Sequence, residues 1–129
     1  MRYVTGKEIL IIHSEIIDQT GGAHGVRDTH LLASIIEKPK MQFGGKELYP
    51  GIFKKAAVYA EALVNYHVFI DGNKRTAIGI VARFLFLNNL ILAATNQEIE
   101  EFAIQIAIKK QDLELITQWL KAHSRKSKK

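Results

Sequence analysis

Residues 67–75 read His67-Val68-Phe69-Ile70-Asp71-Gly72-Asn73-Lys74-Arg75, which sets an imidazole, a carboxylate, a turn and two cations within nine positions. Asp71-Gly72-Asn73 spells a turn, and the residues behind it open a helix. The first amides of a helix are unpaired and lie at the positive end of its dipole, so such an end binds anions. Gly72 has no side chain, which lets a ligand come close to the backbone. Lys74 and Arg75 fall in the first turn, where the dipole favours acids, so two cations there call for an anionic partner. A phosphate chain fits. Asp71 repels a phosphate unless a Mg²⁺ ion stands between them. His67, at the other edge of the loop, is placed to accept a proton from an attacking hydroxyl. Taken singly, each residue has an ordinary reading as a cap, a turn or a solvated face. Their order and spacing together point to a phosphate-handling loop, with Phe69 as the core anchor that pins it.

The rest of the chain reads as helices that position this loop. Thr5-Gly6-Lys7-Glu8 is a capping box, followed by Ile9, Leu10, Ile12, Ile16 and Ile17 near helical spacing and by a Gly21-Gly22 stop. Asp28 opens a short helix through Leu31, Leu32, Ile35 and Ile36, closed by Pro39. The stretch 40–49, with Gly44-Gly45, reads as a loop or small hairpin. Pro50 suits the start of a third helix with Phe53, Ala57, Ala60 and Val64 on one face. After the loop comes an apolar run with Ile78, Ile80, Val81, Phe84, Leu85 and Leu87, expected to be the buried central helix, ended by Asn88-Asn89. Arg83 inside it is expected to pair with an acid such as Glu61. A second capping box, Thr95-Asn96-Gln97-Glu98, starts a helix through Phe102, Ile106 and Ile108. A last helix carries Leu113, Leu115, Ile116, Trp119 and Leu120, and no internal repeat or interdomain linker interrupts the order. The expectation is an all-α fold.

Composition removes several alternatives. With 129 residues, 47% hydrophobic and 24% charged, the chain has the balance of one soluble globular domain. It has no cysteine, hence no disulfide, thiolate zinc site or cysteine nucleophile. The net charge of +5 invites a nucleic-acid reading, but Arg125, Lys126, Lys128 and Lys129 supply four of those charges and leave the body at +1. A basic stripe on a folded face is missing, so no direct nucleic-acid partner is expected. Residues 125–129 read instead as a basic, disordered tail behind a domain at 1–124. The N-terminus lacks the apolar run of a signal peptide and no stretch suits a membrane span, so a cytoplasmic location is expected. His13, His24, His30 and His123 show no His-x-x-x-His spacing and are read as structural.

The nine-residue segment resembles the signature of the Fic family, His-x-Phe-x-Asp/Glu-Gly-Asn-Gly/Lys-Arg, at all seven constrained positions. Lys74 at the eighth position is similar to the death-on-curing (Doc) branch, as are the short length and the Gly21-Gly22…Gly25-Val26-Arg27-Asp28 segment. The resemblance implies a small bundle of about six helices, with a short β-hairpin flap at 40–49 that receives the target as an added strand. It implies transfer of part of a nucleoside triphosphate to a protein hydroxyl: AMP in most of the family, the terminal phosphate in the Doc branch. There the target class is a translation elongation factor, and the protein is the toxin of a toxin–antitoxin pair that arrests translation. By the same resemblance His67 is the general base, Asp71 holds Mg²⁺, and Asn73, Lys74 and Arg75 bind the phosphates of ATP with the amides around Gly72.

Departures from the family majority bear on the reaction. Lys74 replaces the usual second Gly, Ile78 replaces an Arg three places after Arg75, and Val68 replaces the common Pro. Lys fills space that a phosphate chain would take against the backbone, and loss of the second Arg removes a bidentate clamp. Both favour phosphate over AMP transfer; AMP transfer and a non-catalytic nucleotide-binding module are the alternatives. No Glu in the chain is followed by Gly or Asn, so the self-inhibitory segment of the wider family is absent and an antitoxin in trans is implied.

Overall fold

A computed structural model describes residues 1–109 and 111–127. Helix α1 (Gly6–Thr20) starts at the Thr5–Glu8 capping box, with both reciprocal hydrogen bonds formed, and stops at Gly21. Asp28 caps α2 (Thr29–Glu37) by accepting from the Leu31 amide at 3.0 Å. A two-residue turn, Gly44-Gly45, joins the strands β1 (Gln42–Phe43) and β2 (Lys46–Glu47) into an antiparallel hairpin. Then follow α3 (Ile52–Asn65), α4 (Asn73–Leu87), β3 (Leu90–Leu92), α5 (Asn96–Lys109), α6 (Leu113–Ala122) and β4 (Ser124–Lys126). Six helices and a hairpin are the all-α bundle with a short flap that the sequence leads one to expect. Among the described residues no helix is long and apolar enough to cross a membrane.

Helix α3, rather than α4, is the most fully enclosed. Every residue from Lys55 to Ala60 is buried, whereas α4 leaves Phe86 half exposed. The reason lies in Ala56, Ala57, Ala60 and Ala62: small side chains let neighbouring helices close in on several sides, and their modest hydropathy hides this in the sequence. Tyr59 of α3 packs on Phe84 of α4 with ring centroids 5.1 Å apart at the centre of the core. Arg83 pairs with Glu8 of α1 at 2.7 Å, not with Glu61, and so ties α4 to the start of α1.

The expectation of a disordered tail from 125 onward fails for its first residues. Arg125 and Lys126 pair with Ile91 and Leu90 in an antiparallel ladder, and the Ser127 amide donates to the Asn89 carbonyl at 2.9 Å. Both cationic side chains are exposed, so backbone pairing to the apolar β3 costs them no hydration. Lys128 and Lys129 lie outside the described residues.

Lys55 is a buried cation that fastens the hairpin. Its ammonium donates to the Pro39 carbonyl at 2.8 Å and pairs with Glu47 of β2 at 3.0 Å. Glu47→Ala leaves that ammonium buried with one partner fewer, and is expected to cost roughly 1–3 kcal/mol in a thermal or denaturant melt. Adding Lys55→Met removes the orphaned charge and should recover most of the loss. A Glu47→Ala protein that melts with the parent would show that the hairpin is held without this pair.

Candidate active site

The loop between α3 and α4 is fixed from three sides. Phe69 is buried, and the ring of His13 from α1 stacks on it at 3.8 Å between centroids and 6° between planes. His13 is itself buried and donates through Nε2 to the Asp71 carbonyl at 2.8 Å. From the second side, the segment joining α1 to α2 lies along the loop: Val26 bridges Phe69, the Ile70 amide donates to Gly25, and the Arg27 and Asp28 amides both donate to Val68. From the third, Asn73 closes the loop on itself. Its Oδ1 accepts from the Phe69 amide at 3.0 Å, and its Nδ2 donates to the Phe69 carbonyl at 2.9 Å.

This last arrangement gives Asn73 a second role: its carboxamide shapes the loop through the Phe69 backbone, while its second Nδ2 hydrogen and its main-chain amide at the start of α4 remain for an anion. Gly72 is the N-cap residue of α4, left-handed at φ 76°, and no side chain caps the helix there. The first turn of a 15-residue helix thus opens uncapped toward a cavity of about 350 Å³. That cavity is lined by His67, Asp71, Gly72, Asn73, Lys74 and Arg75 together, so all six residues singled out in the sequence meet at one place.

Each side chain has a defined setting. His67 follows the last turn of α3, is exposed, and has φ 51°. The Asp71 carboxylate is half-buried and accepts from two amides, Gly72 at 2.8 Å and Ala23 at 3.2 Å, which leaves lone pairs for a further partner. Arg75 donates to the Thr20 hydroxyl at the end of α1, which in turn donates to the Ile16 carbonyl at 2.7 Å. Lys74 is exposed. A carboxylate, an uncapped helix start and two cations around one cavity suit a phosphorylated ligand.

Residues 3–85 match the model of the Fic/DOC family. The chain belongs to this family. It is 39% identical over 74 residues to Toxin Doc of Mycolicibacterium smegmatis, a match that spans 57% of each chain. It is 30% identical over 90 residues to Protein kinase doc of Escherichia phage P1, covering 70% of this chain and 71% of that protein. Both relatives carry the Doc name, in agreement with the branch that Lys74 implies, and the six-helix bundle with its hairpin is the Fic fold that the signature led one to expect.

Four residues that hold this loop carry no such role in the sequence: His13, read there only as structural, Thr20, and Gly22 and Arg27, which enter there only within a helix stop and a Doc-like segment. The signal for His13 was present. It sits midway between Ile9 and Ile17 at intervals of four, on the buried face of α1, where an imidazole needs a polar partner. Beyond Lys74 and Arg75 the surface continues into a larger, mostly apolar groove of about 650 Å³ between α1, α4 and α5, walled by Ile16, Ile78, Ile99 and Ile104. Two further histidines make structural contacts: His123 stacks on Trp119 and pairs with Glu98, and His24 pairs with Asp18.

Proposed function

We propose that the protein is a Doc-type toxin that transfers the γ-phosphate of ATP to a hydroxyl of a target protein of the translation elongation factor class. The observation that carries this reading is the convergence of His67, Asp71 and the uncapped α4 start with Lys74 and Arg75 on one cavity. The family membership and the name of the phage P1 relative, Protein kinase doc, support it.

In this reading the amides of Asn73, Lys74 and Arg75 and the two cations hold the phosphates in line with the incoming hydroxyl. The hydroxyl oxygen bonds to the γ-phosphorus, the bond to the β,γ-bridging oxygen breaks, and ADP leaves. His67 takes the hydroxyl proton as the oxygen attacks. Asp71 is the residue that would hold Mg²⁺. Among the described residues no three acidic or histidine groups gather as a metal cage, and a lone carboxylate with free lone pairs fits an ion bound mostly through substrate phosphates. Mg²⁺ so bound neutralises phosphate charge. The hairpin edge, with Phe43 exposed at 80%, is where the target strand would add. An antitoxin in trans would lay an amphipathic helix in the apolar groove, with an acid toward Lys74 and Arg75 at its end.

Labelling a cell lysate with γ-labelled and, separately, α-labelled ATP tests the reaction. One γ-labelled protein band that depends on the toxin supports phosphate transfer. An α-labelled band instead means AMP transfer, and no band overturns the enzymatic reading. Lys74 provides a sharper prediction. Lys74 and Ile78 lie one turn apart on the wall of the same groove, so Lys74→Gly with Ile78→Arg rebuilds the family majority's site on a half-buried face. Lys74→Gly is expected to lose γ-phosphate transfer and gain weak AMP transfer, and the double variant to transfer AMP faster than the single. A folded Lys74→Gly protein with the parental γ-transfer rate would show that Lys74 does not set the direction of the nucleotide.

A further inference from the structure

Arg27 makes contacts that the loop's attachment does not require. The segment 25–28 is already docked by main-chain hydrogen bonds: Ile70 to Gly25 at 3.1 Å, Arg27 to Val68 at 2.7 Å and Asp28 to Val68 at 3.1 Å. The guanidinium reaches past these to the end of α3. There Nε donates to the His67 carbonyl at 2.6 Å and Nη2 to the Tyr66 carbonyl at 3.0 Å.

Those two carbonyls belong to the peptide planes on either side of the His67 Cα. Fixing both planes fixes φ and ψ of His67, and with them the direction of its Cα–Cβ bond. The residue needs such a hold, because it carries a β-carbon at φ 51°, in the left-handed region where the chain leaves a helix and glycine is the usual occupant. A planar fork with donors in fixed geometry matches two neighbouring carbonyls, which a single ammonium cannot do equally well. The cation also lies at the C-terminal, negative end of the α3 dipole, where it is favoured.

We propose that Arg27 is a positioning residue for His67: its guanidinium clamps the two peptide planes that flank the histidine and so aims the imidazole at the hydroxyl to be deprotonated. This rests on the phosphotransfer reading for its kinetic consequences, but not for its structural one. The phosphate-binding elements lie across the cavity on α4 and are not touched by the clamp.

Arg27→Ala, Arg27→Gln and Arg27→Lys test it, with two readouts. In single-turnover γ-phosphate transfer, Arg27→Ala is expected to lower the rate about 10–100-fold, the scale of a small misplacement of a catalytic group, with Mg²⁺–ATP affinity unchanged. Arg27→Lys should recover part of the rate, and millimolar methylguanidinium should partly rescue Arg27→Ala. Independently of any activity, the NMR signals of the His67 ring should move toward those of a freely rotating histidine in Arg27→Ala, while the Lys74 and Arg75 amide signals stay in place. If Arg27→Ala does not fold, Arg27→Gln and Arg27→Lys carry both measurements. A variant with the parental rate and unchanged His67 ring signals overturns the proposal. So does a loss that appears wholly as weaker ATP binding. If the parent itself transfers no phosphate, the proposed reaction is wrong, and the ring signals alone then decide whether Arg27 positions His67.

Discussion

His67→Ala is expected to slow γ-phosphate transfer by roughly 10²–10⁴, the range associated with loss of a positioned general base. The loss should fall on the transfer step rather than on ATP binding. His67 stands beyond the end of α3, whereas the uncapped amides, Lys74 and Arg75 all belong to the start of α4. Stability should change little, since the side chain is exposed and alanine takes on the same positive φ without relief. A melting curve and an ATP-binding isotherm that match the parent, beside a collapsed single-turnover rate, are the expected set. His67→Asn makes a useful companion, because asparagine tolerates the left-handed region better than alanine and still supplies no base. If either variant labels its target as fast as the parent, the base is another group, and the role of this loop reduces to binding phosphate.

The elements were legible where local chemistry is decisive. Both capping boxes mark their helices, Asp28 caps α2, and Asn88-Asn89 ends α4 with Asn89 at φ 66°. The loop was legible as a unit because its residues are contiguous, and all six of those singled out reach one cavity. What stayed hidden depends on partners distant in sequence. Nothing near Arg27 states that its guanidinium will end 40 residues away on the His67 carbonyl. Asn73 is a phosphate ligand by the family resemblance, and only the fold shows its carboxamide also turned back on Phe69. Arg83 found Glu8, 75 residues away, rather than Glu61, whose charge acts on Lys38 instead. The basic tail misled for a related reason. Charge reports on the side chains of Arg125 and Lys126, while the pairing of β4 with β3 is a backbone matter decided by an open strand edge.

Gly22→Ala should be nearly as damaging as loss of the base, though it lies 45 residues upstream of His67. The Asp71 carboxylate is held against the Gly22–Ala23 backbone by the Ala23 amide. A methyl group on Gly22 would stand 2.5 Å from Asp71 Oδ2, 3.1 Å from its Cγ and 3.3 Å from Ile17 Cδ1. Contacts that short cannot be kept, so the carboxylate must leave its place against the Ala23 amide, and with it moves the residue proposed to hold Mg²⁺. The expected result is a fall in transfer rate of about 10²-fold and a higher Mg²⁺ requirement, close to the behaviour of Asp71→Asn. Backbone strain alone would confuse the outcome, because Gly22 has φ 114° and any side chain there is disfavoured. Gly21→Ala separates the two effects. It too has a positive φ, 86°, but a β-carbon there meets nothing within 4 Å. Both variants should lose roughly 1–3 kcal/mol in a melt, from conformation. Only Gly22→Ala should lose transfer. Equal activity in the two would mean that the position of the Asp71 carboxylate does not limit the reaction, and Asp71 would then serve the loop rather than the phosphates.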